Sequence, residues 1–233
     1  MMAADADWIV LTETKDYSRL LYTNPVCFLT TDTNVMTISW LTATNNTGGL
    51  VCSVNRRRHS ASRILEQRSF VLSVPVQGME ELVLSVGSCS GSRGSKFKED
   101  QSHGSQASDG GDAEDCTPQS KRQRKKMLQQ GLGVPGLVKE PFKDDIFAIR
   151  GTVAQMKCRV DQILDTVDAD HHLLVAQVVS ARVKTTYWDV DKKLFRPSTG
   201  APPYLTFFGS QTFGYVVPSI PPQESNTDEG VKD

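Results

Sequence analysis

Two long runs in the second half of the chain place an apolar residue at every second position. These runs cover residues 154–160 and 179–184, and a turn-rich stretch at 165–172 separates them. A period of two is typical of β-strands with one buried face, so the pattern predicts a long antiparallel hairpin. Because regularly interleaved helices are missing, the sequence favours a β-barrel or β-sandwich over a parallel α/β sheet.

The first half of the chain adds further strands. Residues 26–31 and 35–42 are apolar, β-branched runs separated by Asp32, Thr33 and Asn34, which predicts a second hairpin. The sequence also predicts strands at 50–54 and 70–74 and short amphipathic helices at 60–68 and 79–86.

Residues 98–134 separate these two blocks and differ from both in composition. The segment is rich in Ser, Gly, Asp and Gln, and its charge changes from acidic to basic along its length. It has too few large apolar residues to offset the entropy of ordering, so we expect a disordered insertion. The expected organisation is one domain over residues 8–217, interrupted by 98–134, with a polar tail at 218–233.

Composition limits the classes of function. The net charge of -1 provides no overall field to recruit nucleic acid or anionic lipid. The five cysteines are scattered without a C-x-x-C pair, so neither a disulfide framework nor a zinc site is indicated. Cys27, Cys52 and Cys158 lie in apolar runs, as expected for reduced core residues. With no signal peptide and no membrane-length apolar stretch, we expect a cytoplasmic protein; the basic run at 121–126 resembles a nuclear-import patch, although such runs are usually solvated.

A basic segment at 54–62 carries the strongest chemical signal. It lies where a strand is predicted to end and a helix to begin, and a helix N-terminus attracts anions. Arg58 and His59 would add positive charge, and Ser60 offers a hydroxyl group to cap the helix or bind phosphate. From spacing alone, a solvated basic turn in which Ser60 is an ordinary N-cap is the favoured interpretation. A nucleic-acid site is disfavoured because no aromatic residues are interleaved with the arginines.

Two other stretches have weaker signals. The Gly/Ser-rich residues 87–97 do not meet the P-loop spacing, because Ser95 stands between Gly94 and Lys96. On its own, this stretch slightly favours a flexible loop that leads into the insertion. His171 and His172 lie in a predicted turn, where solvation is favoured over a metal site.

Taken in order, several stretches resemble the flavin reductase-like family. They are residues 24–31, residues 35–42, Val54 and Asn55 with Arg58, His59 and Ser60, residues 70–75, and residues 87–91 with Lys96 and Phe97. The strands of the second block are similar to the C-terminal strands of that family, whereas residues 98–134 have no counterpart. The resemblance implies a mainly β protein with an FMN-binding split β-barrel of Greek-key type, a few short helices, and a homodimer with FMN near the subunit interface.

The resemblance also implies an FMN site. Strand residues 37–42 would follow the isoalloxazine ring, Asn55 would lie by the ring or ribityl chain, and Arg58 with its neighbours would hold the phosphate. The full set of expected FMN-binding residues is Thr37, Ser39, Trp40, Leu41, Thr42, Ser53, Val54, Asn55, Arg58, His59, Ser60, Ser90, Lys96 and Phe97. A strand tryptophan such as Trp40 is more often a core residue than a flavin contact.

The function implied by the resemblance is an FMN-binding oxidoreductase. NADH or NADPH would reduce the flavin, which would pass its electrons to another acceptor, so no catalytic side chain is required. The alternative is a flavin-binding carrier, sensor or interaction module without reductase turnover. Binding to nucleic acid, a more distant alternative, would collapse with salt.

Overall fold

Antiparallel β-strands form most of the structure, a computed structural model that describes residues 13, 18–21, 25–98, 133–142, 146–165 and 169–219. The strands are β1 (Cys27–Thr30), β2 (Val35–Ile38), β3 (Leu41–Ala43), β4 (Gly49–Asn55), β5 (Ser69–Val74), β6 (Lys139–Pro141), β7 (Phe147–Ile149), β8 (Ala154–Leu164), β9 (His171–Val183), β10 (Trp188–Asp189), β11 (Leu194–Phe195), β12 (Tyr204–Gly209) and β13 (Thr212–Val216). The α-helices of the described part are α1 (His59–Gln67) and α2 (Glu80–Ser88). Short 3-10 turns occupy Ser18–Leu21, Gly91–Arg93 and Thr185–Tyr187.

A seven-stranded sheet in the order β2-β1-β5-β8-β9-β4-β3 organises the fold, and every neighbouring pair in it is antiparallel. The strands β2 and β3 are consecutive in sequence but lie at opposite edges of the sheet. Ser39 and Trp40 make the crossing between the two edges, and the Ser53 amide donates to the Trp40 carbonyl oxygen at 2.9 Å. The sheet therefore curls on itself as a split barrel, and the expected mainly β fold is confirmed.

Strand β1 stabilises the sheet because the side chains on its two faces pack into two different hydrophobic cores. Cys27 and Leu29 belong to the core inside the curl, whereas Phe28 belongs to a second core beneath α2 and the β12–β13 hairpin. All four strand residues are buried, and the one polar residue, Thr30, donates its hydroxyl proton to the Phe147 carbonyl oxygen at 2.9 Å. Cys52 and Cys158 join Cys27 in the inner core, as predicted, and burial raises the pKa of the Cys27 and Cys52 thiols to about 12.

The hairpin predicted from the alternating runs is confirmed as β8–β9, with bulges in its register. Its turn is shorter than expected, however. His171 and His172 were predicted to lie in the turn, but they are the first residues of β9 and pair with Asn55 and Val54 of β4. This long-range pairing starts the strand at His171, directly after the acidic residues that predict a turn.

The first hairpin is also confirmed, since β1 pairs with β2. The predicted strand at 35–42 is wrong as a single element, because the chain leaves β2 after Ile38 and begins β3 at Leu41. The helices predicted at 60–68 and 79–86 correspond to α1 and α2, and Glu80 and Glu81 occupy the first turn of α2.

The low-complexity segment lies mostly outside the described residues, as do Cys116, the basic run at 121–126 and residues 220–233 of the tail. At its C-terminal border Val134 is buried, and its amide donates to the Lys96 carbonyl oxygen at 2.7 Å. Gly133 also lies against the backbone at Lys98, so the chain that follows the insertion is packed on the first block from Gly133 onward.

Candidate functional site

A cleft of about 520 Å³ opens where the chain crosses between the two edges of the sheet. Strand β2, the crossing, the end of β4, the turn before α1 and the start of β9 all contribute to it. The lining residues are Met36, Thr37, Ile38, Ser39, Trp40, Ser53, Asn55, Arg57, Arg58, Ser90 and His171. Its volume falls within the range of about 300–1,000 Å³ that is typical of small-molecule sites.

A smaller, more enclosed cavity adjoins this cleft at the N-terminus of α1. The two share Met36, Thr37, Arg58 and Ser90, so they form one continuous site. The remaining residues around the small cavity are Asn34, His59, Ser60, Val86, Gly87, Cys89, Gly91 and Lys96. We call this small cavity the anion pocket, because the groups described below are mostly hydrogen-bond donors.

Trp40 and His171 form one wall of the open cleft. Their ring centroids are 5.3 Å apart with an interplanar angle of 39°. The side-chain nitrogens of His171 and Asn55 approach within 3.5 Å. Trp40 is 41% exposed, so it is not the core tryptophan that strand position alone favours. The wall offers aromatic surface to a planar ligand.

The basic turn between β4 and α1 is held in a fixed conformation. The Arg56 amide donates to the Asp170 carbonyl oxygen at 2.9 Å, and the Arg58 amide donates to the Asn55 carbonyl oxygen at 3.0 Å. Arg57 pairs with the Asp170 carboxylate at 3.3 Å, whereas Arg58 lines both parts of the site. The turn therefore directs Arg58 toward both the cleft and the anion pocket, whereas Arg57 lines only the cleft and pairs with Asp170.

A second contact fastens this turn to the β8–β9 hairpin. His172 Nδ1 lies 2.5 Å from Asp165 Oδ1, and Arg56 Nη2 donates to the Asp165 carbonyl oxygen at 2.7 Å. The hydrogen bond with His172 is the main reason that the pKa of Asp165 lies below its usual range. The cluster holds the end of the hairpin, and hence His171, against the turn that carries Arg58.

Lys96 lies at the inner end of the anion pocket and is only 2% exposed. Its ammonium group donates to the carbonyl oxygens of Val35 and Val86, at 2.6 and 3.0 Å. No acidic residue of the described ranges pairs with it. Burial lowers the pKa of Lys96 to about 8; Cys89 opposes this shift and Arg58 adds to it. An ammonium group has three donors, so one remains for a ligand after the two carbonyl contacts.

The first turn of α1 completes the anion pocket. The helix begins at His59, with Arg58 as its N-cap in an extended conformation, so Ser60 is not the N-cap that a solvated turn would require. Ser60 is buried, and its hydroxyl accepts a hydrogen bond from Asn34 Nδ2 at 2.8 Å. The first N–H groups of a helix have no partner within the helix and favour negative charge.

The structure brings together most of the residues predicted from the sequence. Those that line the cleft or the anion pocket are Thr37, Ser39, Trp40, Ser53, Asn55, Arg58, His59, Ser60, Ser90 and Lys96. Four others line neither. Leu41 and Thr42 pair with β4, the Val54 side chain is buried in the inner core, and Phe97 packs edge-on against Phe147.

Several lining residues were not predicted as site residues. Met36 and Ile38 belong to β2, and Asn34 follows the β1–β2 turn. His171 was assigned to a solvated turn, and its place in the cleft depends on its pairing with Asn55. His171 could have been identified as a site residue only if the pairing register between β4 and β9 had been known.

Two further observations concern membrane-spanning helices and metal sites. The described residues contain no helix long and apolar enough to cross a membrane. Within the same ranges, no group of three or more His, Cys, Asp or Glu residues is arranged to hold a metal ion.

Comparison with known proteins places this architecture in a family. The family model "Flavin reductase like domain" matches residues 18–194. Because the match covers most of the chain, the protein belongs to the flavin reductase-like domain family. A comparison with curated protein sequences gave no match.

Solved structures agree with this assignment at the level of the fold. An FMN-binding protein from Thermus thermophilus with bound 1-cyclohex-2-enone has 16% identity and a TM-score of 0.60, over 93% of this chain and 97% of that one. Flavoredoxin from Methanosarcina acetivorans has 17% identity and a TM-score of 0.59, over 95% and 98%. The flavin reductase PheA2 has 12% identity and a TM-score of 0.54, over 89% and 100%.

Proposed function

We propose that the protein binds FMN in this site and is an oxidoreductase in which NADH or NADPH reduces the bound flavin. The observation that carries the proposal is the continuity of two unlike compartments. An open cleft with an aromatic wall leads directly into an anion pocket with a buried lysine. A flavin mononucleotide has the same division, with a planar ring at one end and a phosphate at the other.

The anion pocket suits the phosphate group of FMN. Lys96 has a donor left after its two carbonyl contacts, Arg58 adds a guanidinium group, and α1 directs its N-terminus at the same space. Charge-assisted hydrogen bonds to phosphate are about twice as strong as neutral ones. The phosphate would also compensate the buried Lys96 charge, which has no acidic partner among the described residues.

The open cleft suits the isoalloxazine ring. Trp40 and His171 offer a wall of aromatic surface, and the crossing at Ser39 and Trp40 brings backbone to the same face. The amide of Leu41 donates to the Ser39 carbonyl oxygen at 3.1 Å, which keeps this backbone in a tight turn. The likeness to structures described as FMN-binding supports the same assignment.

The chemistry resides in the cofactor. Bound FMN would accept a hydride, two electrons with one proton, from a reduced nicotinamide and pass the electrons to a second acceptor. The chain would hold the phosphate through Arg58 and Lys96, orient the ring against Trp40, and restrict water on that face. No side chain has to act as a general acid or base for hydride transfer.

The absorbance spectrum of the purified protein, alone and after incubation with FMN, tests this proposal. We expect visible flavin absorbance and a dissociation constant below about 100 μM, which corresponds to about −5.5 kcal/mol. Absence of binding at that level would refute the proposed function. Oxidation of NADH or NADPH in the presence of FMN then separates a reductase from a flavin carrier or sensor, which would bind FMN without turnover.

We also propose that the protein is a homodimer whose partner subunit covers the open cleft. Trp40, at 41% exposed, leaves much of its aromatic surface uncovered in a single chain. A partner that covered this surface would shield the flavin ring from water. Light scattering at micromolar concentration should give twice the mass of the 25.7 kDa chain, and the mass of one chain would contradict the dimer.

A further inference from the structure

Asn34 is a buried polar residue at the back of the anion pocket, and the proposed contacts with FMN do not include it. It ends the turn between β1 and β2 and is 4% exposed. Its backbone is fixed by Thr31, whose amide donates to the Asn34 carbonyl oxygen at 2.9 Å. Arg63 of α1 forms an ion pair with Asp32 in the same turn, so the turn and the helix are held together.

The side chain of Asn34 acts on Ser60. Asn34 Nδ2 donates to Ser60 Oγ at 2.8 Å, and both residues line the anion pocket. A serine hydroxyl has one donor and two acceptor sites. One acceptor site of Ser60 is therefore filled, and no described residue accepts its proton. The Ser60 hydroxyl is therefore left as a hydrogen-bond donor at the wall of the anion pocket, where it is almost inaccessible to water.

Gly91 lets the amide group of Asn34 occupy this position. A methyl group at Gly91 would lie 2.4 Å from Asn34 Oδ1 and 2.9 Å from Nδ2, so the amide rests directly on the glycine backbone. Any larger residue at 91 would displace the amide from Ser60. Gly91 therefore belongs to the same arrangement, although it offers no side chain to a ligand.

We propose that Asn34 is a positioning residue that orients the Ser60 hydroxyl to donate to the phosphate of the bound flavin. The inference rests on the proposed function and deepens it, because it assigns the direction of one proton in the phosphate site. With its acceptor site filled by Asn34, Ser60 presents a proton to an anion, as Lys96 and Arg58 do. The pocket then selects a ligand that only accepts hydrogen bonds.

Asn34→Asp is the sharpest test, because it keeps the shape and reverses the hydrogen bond. The carboxylate would accept the Ser60 proton and bring a negative charge toward the phosphate. The dissociation constant for FMN should rise by about 10- to 100-fold. Riboflavin, which has the same ring but no phosphate, should be affected by no more than about 3-fold. Quenching of flavin fluorescence measures both constants on the full-length protein.

A double-mutant cycle separates positioning from a general structural role. Asn34→Ala and Ser60→Ala should each weaken FMN by about 5- to 10-fold relative to riboflavin. In the Ser60→Ala background, Asn34→Ala should have no further FMN-specific effect, because the hydroxyl that it orients is absent. Equal losses for FMN and riboflavin, or fully additive losses, would overturn the proposal.

Two results keep this inference distinct from the proposed function. Failure of the unmodified protein to bind FMN would refute the function itself. Normal preference for FMN over riboflavin in Ser60→Ala would refute the inference alone, and this outcome can be read even where Asn34 variants fail to fold.

Discussion

The ammonium nitrogen of Lys96 lies 2.6 Å from the carbonyl oxygen of Val35, on the strand that forms one side of the cleft. A second contact, 3.0 Å from the Val86 carbonyl oxygen, fixes Lys96 to the last turns of α2. The residue therefore joins strand and helix, and it also places a positive charge at the inner end of the anion pocket. Because burial lowers its pKa to about 8, this charge is sensitive to an incoming anion.

We expect FMN binding to be linked to protonation of Lys96. The phosphate is a dianion above about pH 7 and favours the charged lysine, so the pKa of Lys96 should rise when FMN binds. Between the free and bound pKa values, binding takes up a proton, and FMN affinity should fall about 10-fold from pH 8 to pH 9.5. Titrations of FMN across this range would measure the effect.

Lys96→Met should abolish this pH dependence and weaken FMN at pH 7, whereas riboflavin should show little dependence with either protein. Lys98→Met is the matched control, because Lys98 is exposed and lies two residues away outside the pocket. An unchanged pH profile in Lys96→Met would show that another group titrates.

Arg58 should contribute to phosphate binding, and the adjacent Arg57 should not. Arg58 lines the anion pocket, whereas the Arg57 side chain is 85% exposed and pairs with Asp170. Arg58→Ala should weaken FMN by about 10- to 100-fold and leave riboflavin nearly unchanged. Arg57 lines the cleft but not the anion pocket, so Arg57→Ala should change the affinities for FMN and riboflavin by the same factor. Equal loss of both ligands in Arg58→Ala would indicate that the arginine supports the fold or the ring.

Much of the fold could be predicted because its signals are local. The alternation at 154–160 and 179–184 defined the β8–β9 hairpin, and the basic segment before α1 identified the anion pocket. The break in the run at 35–42 could not be read locally, since Ser39 and Trp40 differ little in strand propensity from their neighbours. The chain turns there because β2 and β3 pair at opposite edges of the sheet, which is a property of the whole barrel.

His171 and Asn34 were missed for a related reason. The acidic residues before His171 resemble a turn, and its role depends on pairing with Asn55, more than a hundred residues away. Asn34 was read correctly as a turn residue, but its contact with Ser60 follows from the packing of that turn on α1. Contacts between distant segments leave no pattern in a single sequence.

The Asp32–Arg63 pair should stabilise the fold in a pH-dependent manner. The hydrogen bond with Arg63 is the main cause that lowers the pKa of Asp32 from 3.8 to about 2. A depressed carboxyl pKa adds stability above the ordinary pKa, and this stability is lost as the pH falls from about 4 to 2. The pair is about one-third exposed, so Asp32→Asn should cost about 1 kcal/mol or less at pH 7, a fall in Tm of about 2–4 °C.

Thermal melts of both proteins at pH 7 and at decreasing pH would measure this effect, and the difference should shrink below pH 4. Asp161→Asn is the control, because Asp161 pairs with Arg159 on the exposed surface, and both residues belong to β8. A difference that grows in acid would contradict the assigned sign.

Replacement of residues 99–132 by a short Gly/Ser linker should preserve both the fold and the site. Lys98 and Gly133 are already adjacent, since a methyl group at Gly133 would lie 2.5 Å from the Lys98 nitrogen. Tm and FMN affinity should therefore be nearly unchanged, and a fall in Tm of many degrees would show that the segment packs on the barrel.

Extending the replacement through Val134 is the matched control. It removes a buried side chain, at a cost of about 1.5–3 kcal/mol, together with the amide that donates to the Lys96 carbonyl oxygen at 2.7 Å. This longer replacement should lower both Tm and FMN affinity, because Val134 supports the backbone that positions Lys96.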